Sequence, residues 1–371
     1  MSLQEEIDAK SKEIFSDGYP MSIGEIISLY KEGDIDIHPE FQRFYRWNHL
    51  QKTKLIESIL LGIPIPSIFV SQREDGVWDV IDGLQRLSTI FEFLGILKNE
   101  KGETLPPLEL LETDYLPSLK EKLWESENEE KSFTNIQRRL FKRQKIDIKI
   151  VNKESDKDTK YELFQRLNTG GTALSSQEVR NCLLVMINKE FYYWIKELGE
   201  YQPFLNCISI SEKLKDEQFH LELLLRFFAY KNSSSEELKR FKDLDDFITS
   251  KMIEFTKEGR FNKEKEEKIF KNTFNMLNNT LGEDSFKRYN SDIKRFQGQF
   301  LISAFEVIAI GIGCNLGGDS KAYSQSYTDK LTNKIKNLWT NKTFRNNSGS
   351  GSNAKNRLPK LIPLGKELFK L

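Results

Sequence analysis

Val77-Trp78-Asp79-Val80-Ile81-Asp82-Gly83-Leu84-Gln85-Arg86-Leu87 is the stretch from which the fold can be read. A β-branched and aromatic run reads as a strand, and it passes without a spacer into Asp82-Gly83. Beyond that turn Leu87, Ile90, Phe91, Leu94 and Leu97 recur at helical spacing, so a helix is expected from Gln85 to Leu97. A strand end thus meets a helix N-terminus across one glycine. That junction has the parts of an anion site: Gly83 for a tight turn, helix amides with a positive dipole end, and the Arg86 fork for phosphate oxygens. Asp82 is placed to hold Mg²⁺ bridging those phosphates or to position a water. A plainer reading accounts for the same residues, with Asp82 capping the helix and pairing with Arg86 four positions on. Spacing alone favours the plainer one.

Working outward, Ser67 to Ser71 and Val77 to Ile81 flank Arg73-Glu74-Asp75-Gly76, whose Asp-Gly predicts a hairpin. Ile63-Pro64-Ile65-Pro66 cannot continue a helix and reads as a rigid crossover. Ahead of it, Asn48 and Gln51 open a helix with the buried stripe Leu55, Ile56, Ile59 and Leu60, which stops at Gly62. Ser22 and Glu25 open another over 23–32, closed by Gly33, and Ile35-Asp36-Ile37 follows as a short strand. Residues 98–145 look like an elaborated insertion outside the core. Ile146 to Val151 alternates as a half-buried strand, and Thr159 to Leu167 predicts a helix ending at Asn168-Thr169-Gly170-Gly171. Ser175 and Glu178 cap the next, and the apolar patterns from there to about Phe344 are helical. Asn346 to Asn353 is a mobile loop by composition. The expected architecture is α+β: a mixed-sheet domain over 1–175 and an all-helical domain over 176–371.

The 371 residues carry 56 basic and 56 acidic side chains, so no global charge directs the chain to nucleic acid, although a local basic groove remains compatible with a neutral total. Cys182, Cys207 and Cys314 are scattered, odd in number and without a Cys-x-x-Cys pair, and read as reduced, buried thiols. No stretch approaches the roughly 20 apolar residues of a membrane span, so a cytoplasmic location is expected.

Taken in order, Phe41-Gln42-Arg43 with Trp47, Ser58-Ile59-Leu60, Pro64-Ile65-Pro66, Asp82-Gly83-Leu84-Gln85-Arg86-Leu87 and Arg166-Leu167-Asn168-Thr169-Gly170-Gly171 with Leu174 and Glu178 resemble the GmrSD restriction endonuclease N-terminal family. The resemblance is strong from about Ile35 to Leu183. It implies a ParB/sulfiredoxin-like fold in which the loop meets nucleotide phosphates, and so a nucleotide-binding role for Asp82, Gly83, Gln85 and Arg86, joined by Gln42 and Arg43. It implies a nucleoside triphosphate and Mg²⁺ as cofactors and action against modified foreign DNA. The family loop is Asp-Gly-Gln-Gln-Arg, and Leu84 replaces its first Gln here, which puts hydrolysis in doubt more than binding.

Gln42, Arg43, Arg46 and Trp47 suit contact with phosphate and base, and a core role for Phe41, Phe44 and Trp47 with solvated arginines is the even alternative. Lys342, Arg345, Lys355, Arg357 and Lys360 suit either a phosphate backbone or a solvated face. No Gly-x-x-x-x-Gly-Lys-Ser/Thr stretch occurs, and His38, His49 and His220 form no zinc or Ser-His-Asp pattern. Three functions remain: a nucleotide-dependent restriction or antiphage component, a non-enzymatic DNA-binding or regulatory module, and a metal-dependent nickase using Asp82. Relatives of the resembled type carry a histidine-dependent HNH nuclease half or subunit, whereas no histidine follows His220 here. A separately encoded nuclease or other effector is the expected partner, with a homo-oligomer left open. Purified chain incubated with supercoiled plasmid, nucleoside triphosphate and Mg²⁺ or Mn²⁺ is expected to leave the plasmid uncut. Nicking that disappears in Asp82→Ala would reverse that expectation and promote the nickase.

Overall fold

The computed structural model describes residues 2–3, 16–37, 47–73, 75–99, 101–151, 175–316, 325–349 and 351–370. The chain divides into two compact units, Met1–Leu174 and Ser175–Leu371.

The first unit is built on a mixed five-stranded sheet, β1 (Ser16–Ser22), β2 (Ile35–Asp36), β3 (Ile68–Gln72), β4 (Trp78–Asp82) and β5 (Lys145–Val151), in the spatial order β1-β5-β3-β4-β2. The pairs β1·β5 and β3·β4 are antiparallel, while β3·β5 and β2·β4 are parallel. Alternation in β5 is as the sequence predicts: Ile146, Ile148 and Ile150 are buried and the residues between them exposed. Among its described residues this unit has the α-helices α1 (Ile23–Glu32), α2 (His49–Leu61), α3 (Leu84–Phe93) and α4 (Asn135–Arg143). Ser22 Oγ accepts from Glu25 N at the start of α1, and Asn48 and Gln51 complete a reciprocal capping box on α2. Ile26, Ile56, Leu87, Ile90 and Phe91 turn inward onto Ile68, Val70, Val80 and the β5 isoleucines.

The sequence reading departs from this structure in four places. Helix α3 stops at Phe93, short of Leu97: Gly95 takes a left-handed φ of 67°, and the amides of Gly95 and Ile96 close back on Glu92 and Phe91 carbonyls. Leu97 is still buried, but by the chain's return, not by helical phase. Residues 98–145 are no peripheral insertion. Trp124, Phe133 and Phe141 surround Phe93 with ring centroids 5.6, 5.1 and 5.8 Å away, so the segment completes the core. Strand β1 was not expected from the sequence: Asp-Gly and Pro are turn-forming residue types, and an edge strand tolerates them. The helix predicted at 159–167 and its Asn168–Gly171 end lie outside the described residues.

Among its described residues the second unit is helical apart from one ribbon. Its helices are α5 (Ser176–Ile187), α6 (Lys189–Gly199), α7 (Gln202–Ile208), α8 (Glu212–Asp216), α9 (Phe219–Lys231), α10 (Glu237–Arg240), α11 (Leu244–Phe255), α12 (Lys263–Thr280), α13 (Ile302–Asn315), α14 (Gln325–Leu338), α15 (Lys342–Asn347) and α16 (Ala354–Leu368). Between α12 and α13 lies the fourth departure, a two-stranded ribbon of β6 (Arg288–Asn290) and β7 (Arg295–Gln297). Ser175 and Glu178 form the expected capping box on α5. Helix α16 lies beyond Phe344, inside the stretch expected to be helical, and continues despite Pro359 and Pro363 within it.

Buried charge in this unit forms a balanced chain. Arg180 bonds Asp245 at 2.9 Å and Glu222 at 2.8 Å, Arg226 bonds Glu222 at 2.6 Å, and Arg357 forks onto the fully buried Glu306 at 2.8 and 2.9 Å. Each cation is committed to a carboxylate, as burial requires. Arg357 is therefore withdrawn from any basic surface, contrary to the reading of the C-terminal cations.

Helices α13 and α16 meet backbone to backbone at two glycines: a Cβ on Gly311 would lie 2.4 Å from the Gly365 carbonyl oxygen, and one on Gly365 would lie 2.3 Å from that of Val307. Gly365→Ala should force the helices apart at a cost of about 1–3 kcal/mol, the usual range for overpacking. The melting temperature of the second unit is then expected to fall by several degrees in a differential scan. An unchanged transition would mean that the helices slide without loss.

Candidate functional site

Asp82 is the last residue of β4, and Gly83 reverses the chain with φ 99°, ψ 9°. That left-handed conformation favours glycine. Space demands it as well: a Cβ on Gly83 would lie 2.7 Å from Ile68 Cγ1 and 3.2 Å from Arg86 Nη2. Helix α3 therefore begins flush against β3 with no side chain from Gly83 capping it, and its first intrahelical bond runs from Leu87 N to Gly83 O. The first turn carries no acidic side chain to offset the positive end of the helix.

Arg86 folds back over this turn. Its Nη2 donates to Asp82 Oδ2 at 2.6 Å and to the Ser67 carbonyl at 3.2 Å, while its buried Nε has no hydrogen-bond partner. The side chain keeps 13% of its surface accessible and Asp82 25%, so the pair borders solvent. The pair is thus partly buried, with its outer edge toward solvent. Gln85 accepts from Trp47 N at 3.4 Å through Oε1, and its carbonyl accepts from Thr89 Oγ1 at 2.7 Å. Trp47 packs partly buried against the core.

Of the residues singled out in the sequence, the structure brings together Asp82, Gly83, Gln85 and Arg86 on one turn. Gln42 and Arg43, with Arg46, fall outside the described residues, as does Arg166–Gly171. Leu84 is half-buried at the first helical position. The sequence reading missed Ser67 and Ile68: they touch the turn only because β3 runs beside it, and a main-chain carbonyl acceptor leaves no mark in a sequence.

Among the described residues no group of three His, Cys, Asp or Glu is arranged to hold a metal ion. A Mg²⁺ ion needs less than that when phosphate and water supply its other ligands, and Asp82 is a carboxylate that could supply one. The cysteines supply no nucleophile. Burial pushes the Cys182 thiol far up and that of Cys207 up to about 12, and all three are free. At the far end of the β3–β4 hairpin Arg73 reaches Asp36 at 3.4 Å, Asp75 at 3.4 Å and Asp79 at 3.3 Å, neutralising carboxylates gathered by the parallel β2·β4 pair. No helix among the described residues is long and apolar enough to cross a membrane.

Compared with known families, residues 23–185 match the GmrSD restriction endonuclease, N-terminal domain. No curated protein and no solved structure matches the chain.

Gly83 and Gly33 both have left-handed φ, 99° and 87°, but a Cβ on Gly33 would meet nothing within 4 Å. Gly33→Ala should cost only the conformational strain, about 1–2 kcal/mol. In Gly83→Ala the clash with Ile68 adds about 1–3 kcal/mol of overpacking, and the first unit should melt at the lower temperature. Equal melting of the two variants would mean that the close approach of turn and strand is dispensable.

Proposed function

We propose that the chain, whose residues 23–185 match the GmrSD restriction endonuclease N-terminal domain, is a nucleotide-binding component of a bacterial restriction or antiphage system that acts on foreign or modified DNA. The observation that carries this reading is the turn at Gly83. It leaves a helix start without a side-chain cap, beside an arginine held only by a neighbouring carboxylate and one carbonyl.

In this reading Asp82 keeps Arg86 neutralised until a phosphate arrives. The guanidinium then exchanges a carboxylate for phosphate oxygens, a charge-assisted bond of the same kind. The amides at the start of α3 add donors, and the dipole favours the anion. Mg²⁺, when bound, shields the negative charge of the phosphates, and Asp82 released from Arg86 is the residue that would hold it. Leu84 brings no hydrogen-bonding group to the turn, which favours binding without hydrolysis. A second reading has support from the same geometry: the 2.6 Å Asp82–Arg86 bond suits a closed structural turn in a non-enzymatic DNA-binding or regulatory module.

Calorimetric titration of each nucleoside triphosphate with and without Mg²⁺, paired with a phosphate-release assay, separates them. Arg86→Ala should weaken binding at least roughly tenfold, since charge-assisted bonds contribute about 1.5–3 kcal/mol. Asp82→Asn should bind more tightly than wild type in the absence of Mg²⁺, because the competing carboxylate is gone, and should gain less from added Mg²⁺. Equal binding by wild type and Arg86→Ala, with matched circular dichroism, would remove the site and leave the structural turn.

A further inference from the structure

The ribbon between α12 and α13 is a departure from an otherwise helical unit, and its two faces differ sharply. Register pairs Arg288 with Gln297, Tyr289 with Phe296 and Asn290 with Arg295. Side chains of directly opposed residues share a face, and successive residues alternate. One face therefore carries the rings of Tyr289 and Phe296, 5.0 Å apart, and Lys336 of α14 lies 5.4 Å over Tyr289. This face is half-buried and attaches the ribbon to the unit.

The other face holds Arg288, Asn290, Arg295 and Gln297, of which Asn290 alone is not exposed. Beyond it the turn Ser291-Asp292-Ile293-Lys294 is fixed by Asn290 Oδ1, which accepts from the amides of Asp292 at 2.9 Å and Ile293 at 3.4 Å. Lys294 stands there in a left-handed conformation, φ 54°. Lys287, just before the ribbon, is held by Glu283 and Asp284. Arg288, Lys294 and Arg295 have no carboxylate partner among the described residues, in a unit whose buried arginines are all paired. Within the ribbon Asp292 is the sole acid against these three cations.

We propose that this face of the ribbon, with Arg288, Arg295 and the Lys294 tip, is a contact surface for the phosphates of duplex DNA. A two-stranded ribbon is narrow enough to enter the major groove, and cations with amide side chains between them match phosphate and base edges. The same composition disfavours a protein partner, since the centres of protein interfaces are apolar and depleted of charge. The ribbon lies outside residues 23–185, and the inference rests on the reading of the chain as one that acts on DNA.

The test is fluorescence anisotropy of a labelled 20-base-pair duplex with the full chain, without nucleotide, over a range of salt. Wild type should bind at low salt and weaken steeply as salt rises. With Arg288, Lys294 and Arg295 all changed to Ala, the slope of log K against log salt should become shallower by about 2 to 3, as loss of three phosphate contacts requires. A control with Lys239, Lys257 and Arg260 changed to Ala, three exposed cations elsewhere in the unit, should retain the wild-type slope. Matched circular dichroism checks that each variant folds. Absence of binding at low salt, an unchanged slope in the ribbon variant, or an equal loss in the control would each overturn the assignment. Because no nucleotide is present, none of these results bears on the site at Arg86.

Discussion

The close approach of the Gly83 turn to Ile68 is the constraint on which the first unit depends. With the backbone in a left-handed turn and no room for a Cβ, α3 starts against the sheet and lies across it. That placement sends Leu87, Ile90 and Phe91 into the core and puts Phe93 among Trp124, Phe133 and Phe141. It also decides what Arg86 can reach. The guanidinium spans from the end of β4 to the Ser67 carbonyl ahead of β3, so one side chain reports on both strands. The Asp82–Arg86 pair therefore sits at the junction of sheet and helix, where turn and strand approach closely.

Charge is used in two opposed ways across the chain. In the second unit Arg180, Arg226 and Arg357 are buried against Glu222, Asp245 and Glu306, and losing one partner of such a pair strands a charge in a medium that solvates it poorly. Those arginines hold helices together and are unavailable to ligands. Arg288, Lys294 and Arg295 are exposed and have no carboxylate partner among the described residues, so their field reaches solvent. A total of 56 cations against 56 anions conceals this division, because net charge counts both kinds alike.

Much of the local structure in both units could be read from local pattern. The caps at Ser22, Asn48 and Ser175, the alternation of β5 and the hairpin before Asp82 depend on neighbours within a few residues, and each appears where expected. Residues 98–145 were misjudged because Trp124, Phe133 and Phe141 are spaced without helical or strand period. Their purpose is visible only when Phe93 is seen between them. Strand β1 was hidden for a related reason, since Ser16–Ser22 has no alternation of its own and becomes a strand by pairing with β5.

The sequence by itself determined the motif: a strand ending in Asp-Gly, a helix opening with Gln-Arg, and the order of blocks that matches the GmrSD N-terminal domain. It also made the pairing of Asp82 with Arg86 an expectation, although the left-handed turn at Gly83, not a helical turn, brings them together. Tertiary structure alone decided that Arg86 is shared between Asp82 and the Ser67 carbonyl, that Arg357 is spent on Glu306, and that Arg288 and Arg295 share the exposed face of a ribbon. The physical reason is range. Turn chemistry, capping and periodicity act over a few bonds and leave their signature in neighbouring letters, whereas the partner of a charge is set by which distant segment packs beside it.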